Sequence, residues 1–436
     1  MTHTRKTAIL LSFLLLWSAS LTANSAQAAS GPAPVLSPIP VQGSTAPAPT
    51  PEGLRASLGA TITRSALGTS GIWIGDATSG TTLLDAGARS ALLPASTLKL
   101  LTAATALRHL GPTARIATRV VVDGGTLTII GGGDASLAST GVGSSLAVLA
   151  KRVAASVRAS HVDLVYDTSL FHGRTLGAGW SRSFPAAGVA APVEALMVDQ
   201  GRARPKGNTR VPQPARYAAG IFARALKKLG IAVGSITEGR ASAQATEVAR
   251  VESAPVQQLV HHMLTDSDND LAEALAHLSG VAVNGQGTFA GGAKAMVATA
   301  KALNLPTDGI ALFDGSGLSS KDRVAPQTLG GILLLSAQGS FGGIAPSLAI
   351  AGFTGTLADR FKSSAQREAA GYVRAKTGTL DTVVNLAGIV PDVDGRVLVF
   401  AIMANDVPSI MKARAAIDQI AARLRGCGCR TASPTP

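Results

Sequence analysis

Three short clusters of polar residues follow one another along the chain: Ser96-Thr97-Leu98-Lys99, then Ser267-Asp268-Asn269, then Lys376-Thr377-Gly378-Thr379. A serine hydroxyl is a weak nucleophile until a base takes its proton. A lysine can be that base if burial or a neighbouring cation lowers its pKa. Ser96 and Lys99, at i and i+3, fall on one face of a helix, one turn apart. Ser96 comes just after Pro94, at a helix start, where the helix N-terminus favours developing negative charge. The chemistry implied is acyl transfer through a serine, with lysine rather than histidine carrying the proton.

In this reading Ser267 relays a proton between the lysine and the leaving amine. Asn269 contacts Lys99 and donates to the substrate backbone. Lys376 adds a second positive charge that lowers the pKa of Lys99 and attracts a carboxylate, and Thr377 hydrogen-bonds that carboxylate. Gly378 lets an extended ligand approach the backbone. The N–H groups of Ser96 and Thr379 would form an oxyanion hole. Each cluster also has a plainer reading. Ser, Asp and Asn are helix caps, and Lys-Thr-Gly can be a strand end and a turn. A second Ser-x-x-Lys, Ser409 to Lys412, even recurs near the C-terminus with nothing comparable after it. The order of the three clusters carries the case, not any one of them.

The elements that must position these residues follow from periodicity. Residues 71–75 and 81–85 read as a hairpin around a turn-rich segment. Residues 97–110 have helical spacing and stop at Gly111-Pro112. From 112 to 248 the texture changes to short β-branched runs (118–122, 127–130, 162–165), Gly-rich turns, and helical stretches at 146–156 and 215–229. Helical patterns return at 256–264 and 271–278. Buried strands are expected at 384–390 and 397–403, and 408–424 reads as a closing helix packed on them. The expected domains are a signal peptide (1–28), a Pro/Ala-rich linker (29–51), a discontinuous catalytic domain (52–111 and 249–426), an inserted, partly β domain (112–248) and a tail (427–436).

Arg5 and Lys6, the apolar run 8–21 and Ala26-Gln27-Ala28 make a secretory signal. The run is short for a membrane span, so the mature protein is expected to be secreted or otherwise extracytoplasmic, with at most loose membrane association. The formal charge is +13, yet the basic residues are scattered and aromatics are 4%, which argues against nucleic acid as a partner. The two cysteines, Cys427 and Cys429, form no framework or zinc site. The seven histidines show no His-Glu-x-x-His spacing, so neither metal nor cofactor is expected.

The three clusters, with several further segments, resemble the serine penicillin-recognising enzymes. Within them the chain resembles the low-molecular-mass class C penicillin-binding proteins, the D-alanyl-D-alanine carboxypeptidase/endopeptidase family. The segments are Gly131-Gly132-Gly133-Asp134-Ala135-Ser136-Leu137, Tyr166-Asp167-Thr168-Ser169-Leu170-Phe171 with Gly179-Trp180, Asp314-Gly315-Ser316-Gly317-Leu318-Ser319, and Ala351-Gly352-Phe353 with Gly355-Thr356-Leu357. Together they run from about Gly71 to Met403. The resemblance implies an α/β (α+β) transpeptidase-like domain of the penicillin-binding-protein/β-lactamase type, a five-stranded antiparallel sheet flanked by helices, with an insertion between the first two clusters. It implies attack by Ser96 on the penultimate D-alanine carbonyl of a peptidoglycan stem peptide, release of the terminal D-alanine and hydrolysis of the acyl-enzyme. Cross-bridge cleavage and acylation by β-lactams would use the same serine. Asp167, Phe171 and Trp180 are candidates for recognising the diamino acid side chain. The chain departs from the family pattern at Asp381, where Ser is common, and at Ala135-Ser136 in place of Pro-Thr.

Two readings compete. A β-lactamase would share the clusters but need fast deacylation. No Glu-x-x-Leu-Asn segment lies between Asn269 and Lys376, and Ser267 stands where another lactamase class has tyrosine. A non-catalytic cell-wall-binding or β-lactam-sensing protein would keep the cleft; intact Ser96, Lys99 and Lys376 argue against a decayed site.

Overall fold

The computed structural model describes residues 46–62, 64–204 and 207–428, which fall within one compact unit. The expected signal peptide, residues 29–45 of the linker, and Cys429 lie outside the described residues.

Eleven strands are described: β1 (Thr69–Asp76), β2 (Thr82–Ala86), β3 (Ala117–Asp123), β4 (Thr126–Ile130), β5 (His161–Asp167), β6 (Ala232–Glu238), β7 (Thr246–Glu252), β8 (Ala349–Ile350), β9 (Arg374–Leu380), β10 (Val383–Pro391) and β11 (Val397–Asn405). They make two sheets, ordered β2-β1-β11-β10-β9-β8 and β6-β5-β4-β3-β7. Every pairing in the first is antiparallel. Its five long strands are those implied by the resemblance, and the two-residue β8 adds a sixth at one edge.

The first sheet joins both ends of the chain, because β1 pairs with β11 along its whole length. β10 and β11 are almost wholly buried, so their near-continuous apolar runs mark central strands covered on both faces. Alternate residues serve different cores. Val399, Ala401 and Met403 face the cluster built on the helices Lys99–His109, Val256–Asp266 and Pro326–Ala337. Leu398, Phe400 and Ile402 face the closing helix Ile410–Arg425 through Ile417, Ile420 and Leu424. The period of two in a strand produces this division.

The second sheet occupies residues 117–252. Two of its pairings, β4–β5 and β5–β6, are parallel, and the helices Leu146–Ser156 and Pro214–Lys228 cover it. β7 crosses the boundary at 248 that the sequence texture suggested. β6 is exposed along almost all its length, so it has no apolar alternation to betray it. Helix Pro51–Leu58 begins at the C-terminal end of the expected linker, capped by Thr50. Cys427, the first residue of the expected tail, is buried against the core and disulfide-bonded.

Candidate active site

Ser96 lies in a tight turn, Ala95–Leu98, that runs directly into the helix Lys99–His109. Ala95 has φ of +46°, a conformation costly for a residue with a Cβ and typical of strained functional turns. The strain is held by neighbours. Asn385 on β10 donates from Nδ2 to the Leu93 and Pro94 carbonyls, at 3.0 and 2.6 Å. Asn405 on β11 accepts from Leu93 N–H at 2.8 Å. Two central strands therefore grip the backbone just before the nucleophile.

Lys99 is fully buried. Its Nζ lies 2.9 Å from Ser96 Oγ, 2.7 Å from Asn269 Oδ1 and 2.8 Å from the Ser316 carbonyl. Burial takes its pKa down to about 8, while Asp314 and Glu273 pull the other way. Desolvation is the largest cause, and the repulsion expected between Lys99 and Lys376 acts beside it. The repulsion between the two lysines registers on Lys376, whose pKa falls well below the usual lysine range through burial and the nearby Lys99.

Ser267 ends the helix Val256–Asp266 in the left-handed conformation, φ +62°. Asp268 caps the next helix, Asn269–Asn284, by accepting from Leu271 N–H. The capping alternative thus describes Asp268 and leaves the flanking side chains for the cleft. Lys376 Nζ donates to Ser267 Oγ at 2.8 Å, and Asn269 Oδ1 accepts from Lys99. Asn269 Nδ2 donates to the Val189 carbonyl at 2.8 Å, so one of its two amide hydrogens is already engaged.

Lys376, Thr377, Gly378 and Thr379 lie on β9. Thr377 Oγ1 donates to Thr356 Oγ1 at 2.8 Å, and Thr379 is exposed. A Cβ on Gly378 would stand 2.8 Å from the Pro94 carbonyl and 3.2 Å from Thr97 N, so glycine lets β9 press against the nucleophile turn. All eight expected residues therefore line one locality. The second Ser-x-x-Lys does not join it: Ser409 caps the closing helix and accepts from Lys412 N–H.

Sequence reasoning missed the floor of the site. Buried Glu273 accepts from Gly315 and Ser316 N–H and so aims the Ser316 carbonyl at Lys99; burial raises its pKa to about 8. Asp314 accepts from Gly317 and Ser319 N–H and from Trp180 Nε1, each at 2.7 Å. The Asp314–Ser319 segment carries part of the family resemblance, but its place in the site depends on partners distant in sequence. Trp180, Asp167 and Phe171 each have partners within the fold. Asp167 accepts from Ser169 and Ala241 N–H, and Phe171 packs on His277. Among the described residues, no group of three or more His, Cys, Asp or Glu side chains could hold a metal.

The sequence matches the D-Ala-D-Ala carboxypeptidase 3 (S13) family over residues 54–209 and 203–424. It is 35% identical over 404 residues to carboxypeptidase DacB of Mycolicibacterium smegmatis, spanning 88% of this chain and 86% of that protein. It is also 35% identical over 343 residues to a carboxypeptidase of Mycobacterium tuberculosis, spanning 75% of this chain and 73% of the relative. The fold is similar to the crystal structure of penicillin binding protein 4 (dacB) from Haemophilus influenzae, with a TM-score of 0.73 at 22% identity, covering 84% of this chain and 98% of that one. Matched across both sheets and all three polar clusters, the chain belongs to the D-Ala-D-Ala carboxypeptidase 3 (S13) family.

Proposed function

We propose that this chain is a serine DD-peptidase that removes the terminal D-alanine from peptidoglycan stem peptides through a Ser96 acyl-enzyme. The observation that carries the proposal is the position of Lys99: a fully buried amine, 2.9 Å from Ser96 Oγ, with a pKa brought down to about 8. The neutral amine takes the Ser96 proton as Oγ bonds to the penultimate D-alanine carbonyl carbon. The N–H groups of Ser96 and Thr379 hold the resulting oxyanion. The C–N bond then breaks, and the leaving D-alanine nitrogen receives a proton relayed through Ser267. Water attacks the ester by the reverse path and frees Ser96.

Lys376 gives the site its preference for a free carboxylate. Empty, the site disfavours a second cation beside Lys99; a substrate carboxylate restores the charge on Lys376 and accepts from Thr377. Asn269 orients Lys99 and has one amide hydrogen left for the substrate backbone. A β-lactam presents a comparable amide and carboxylate, so it would acylate Ser96. Cleavage of D-alanine cross-bridges is the same chemistry on a larger leaving group. The signal-like pattern of residues 5–28 and the cell-wall substrate both support action outside the cytoplasm. The insertion carrying the second sheet, residues 117–252, supports the cleft from one side.

The test is mass spectrometry of protein and products. Wild-type protein should gain one penicillin mass on the peptide containing Ser96 and release D-alanine from a pentapeptide; Ser96→Ala should do neither. Rapid turnover of penicillin would favour a β-lactamase. A stable adduct without D-alanine release would favour a binding protein.

A further inference from the structure

The helix Phe289–Ala302 turns one stripe, Ala290, Ala293, Lys294, Val297, Ala298 and Lys301, toward a groove of about 680 Å³. The spacing of three and four places these residues on one helical face. Small side chains open the groove along most of the stripe. Leu176, Leu312 and Phe313 close it from the other side. The volume is that of a small-molecule site, roughly 300–1,000 Å³. Phe313 is 36% exposed, with Lys321 Nζ 5.8 Å from its ring centroid.

The charge around the groove has one sign. Arg174, Lys294 and Lys301 line it, and no Asp or Glu does among the described residues. None of the three cations is in a salt bridge among the described residues. An apolar trough with unpaired cations along its rim matches a ligand with an apolar tail and an anionic head. Long cationic side chains suit such a rim, because their stems cover apolar surface while the charge stays in water.

We propose that this groove takes an acyl chain of an anionic phospholipid, seating the enzyme on a membrane surface. The chain lies along the Ala/Val stripe, and the headgroup meets Arg174, Lys294 and Lys301. No described helix is long and apolar enough to cross a membrane, so the attachment is peripheral and reversible. The groove sits next to the cleft in sequence: Phe313 adjoins the Asp314–Ser319 segment, whose Ser316 carbonyl holds Lys99. Seating on the groove would therefore fix the cleft relative to the membrane.

The test is cosedimentation with vesicles of phosphatidylglycerol or of phosphatidylcholine, with penicillin acylation as the control for folding. Wild-type protein should pellet with the anionic vesicles only. Lys294→Glu with Lys301→Glu should weaken binding on the order of tenfold or more. Ala298→Trp, which fills the groove and leaves every charge in place, should weaken it comparably. Binding unchanged by Ala298→Trp would assign the attraction to the diffuse net charge and overturn the proposal. Absence of binding to either vesicle would overturn it too, as would a concentration-dependent dimer abolished by Ala298→Trp without vesicle binding, since the groove would then belong to a second copy.

Discussion

Lys99 sets the pH dependence. The active form is the neutral amine, and the pKa has fallen to about 8. Roughly one molecule in ten then has the free base at pH 7, since each unit below the pKa is a tenfold loss. Penicillin acylation should accordingly rise with pH through about 8 and level above it; stopped-flow rates that stay flat across this range would assign the base elsewhere. Lys99→Arg keeps the charge but cannot give up its proton, and should slow acylation by about 10²–10⁴-fold. These residues were legible in the sequence because each cluster is local: Ser96 and Lys99 are one turn apart, and Ser267 and Asn269 flank one cap. Glu273, Asn385 and the Ser316 and Val189 carbonyls were not. A carbonyl has no sequence signal, and Asn385 is one polar residue within an apolar strand.

Elements hold the nucleophile by close approach. Gly317 has φ of +81°, and a Cβ there would stand 1.9 Å from the Ala95 carbonyl oxygen. Gly317→Ala must displace either the Ser96 turn or the segment that anchors Lys99, and should cut acylation by about 10²-fold. Gly395→Ala is the matched control: φ is +88° with nothing within 4 Å of the added Cβ, so it should cost some stability and leave acylation unchanged. Parallel rate and melting measurements separate the two. At the other end of the sheet, Arg396 Nη2 and Nε meet the Asp76 carboxylate at 2.6 and 2.8 Å, both side chains buried. Arg396→Ala would strand that carboxylate and should cost about 3–5 kcal/mol in urea unfolding. Burial pushes the Asp76 pKa up, but the bonds from Arg396, Ser79 and Thr78 outweigh it and leave the pKa lowered. Its contribution is thus complete above the ordinary carboxylate range and is lost as pH falls through the lowered value. The central strands and the helices beside the clusters were readable from apolar period. β6 was not, because an exposed edge strand lacks that period.

Across the whole molecule, the segment between β5 and the helix Pro214–Lys228 reaches the cleft at several points. Trp180 donates to Asp314, the Val189 carbonyl accepts from Asn269, and Arg210 pairs with buried Asp270 at 2.9 Å. Trp180→Phe keeps an aromatic ring but shrinks it and removes the bond to a buried carboxylate. It should cost about 1–3 kcal/mol and slow acylation, read by melting and by penicillin labelling; no change in either would show that this segment does not brace the site. That a second sheet lies between the first two clusters in sequence was foreseeable from the change of texture after residue 112. The parallel β5–β6 pairing was not, since β6 carries no apolar alternation and so offered β5 no visible partner. The grip of Asn385 and Asn405 on the backbone before Ser96 has one more consequence. The nucleophile takes its position from the two innermost strands, the last part of such a fold to open, and not from an outlying helix or loop. β-Lactam labelling of Ser96 should therefore outlast early fraying on heating and vanish only when the central sheet melts, which makes the drug a thermometer for the core.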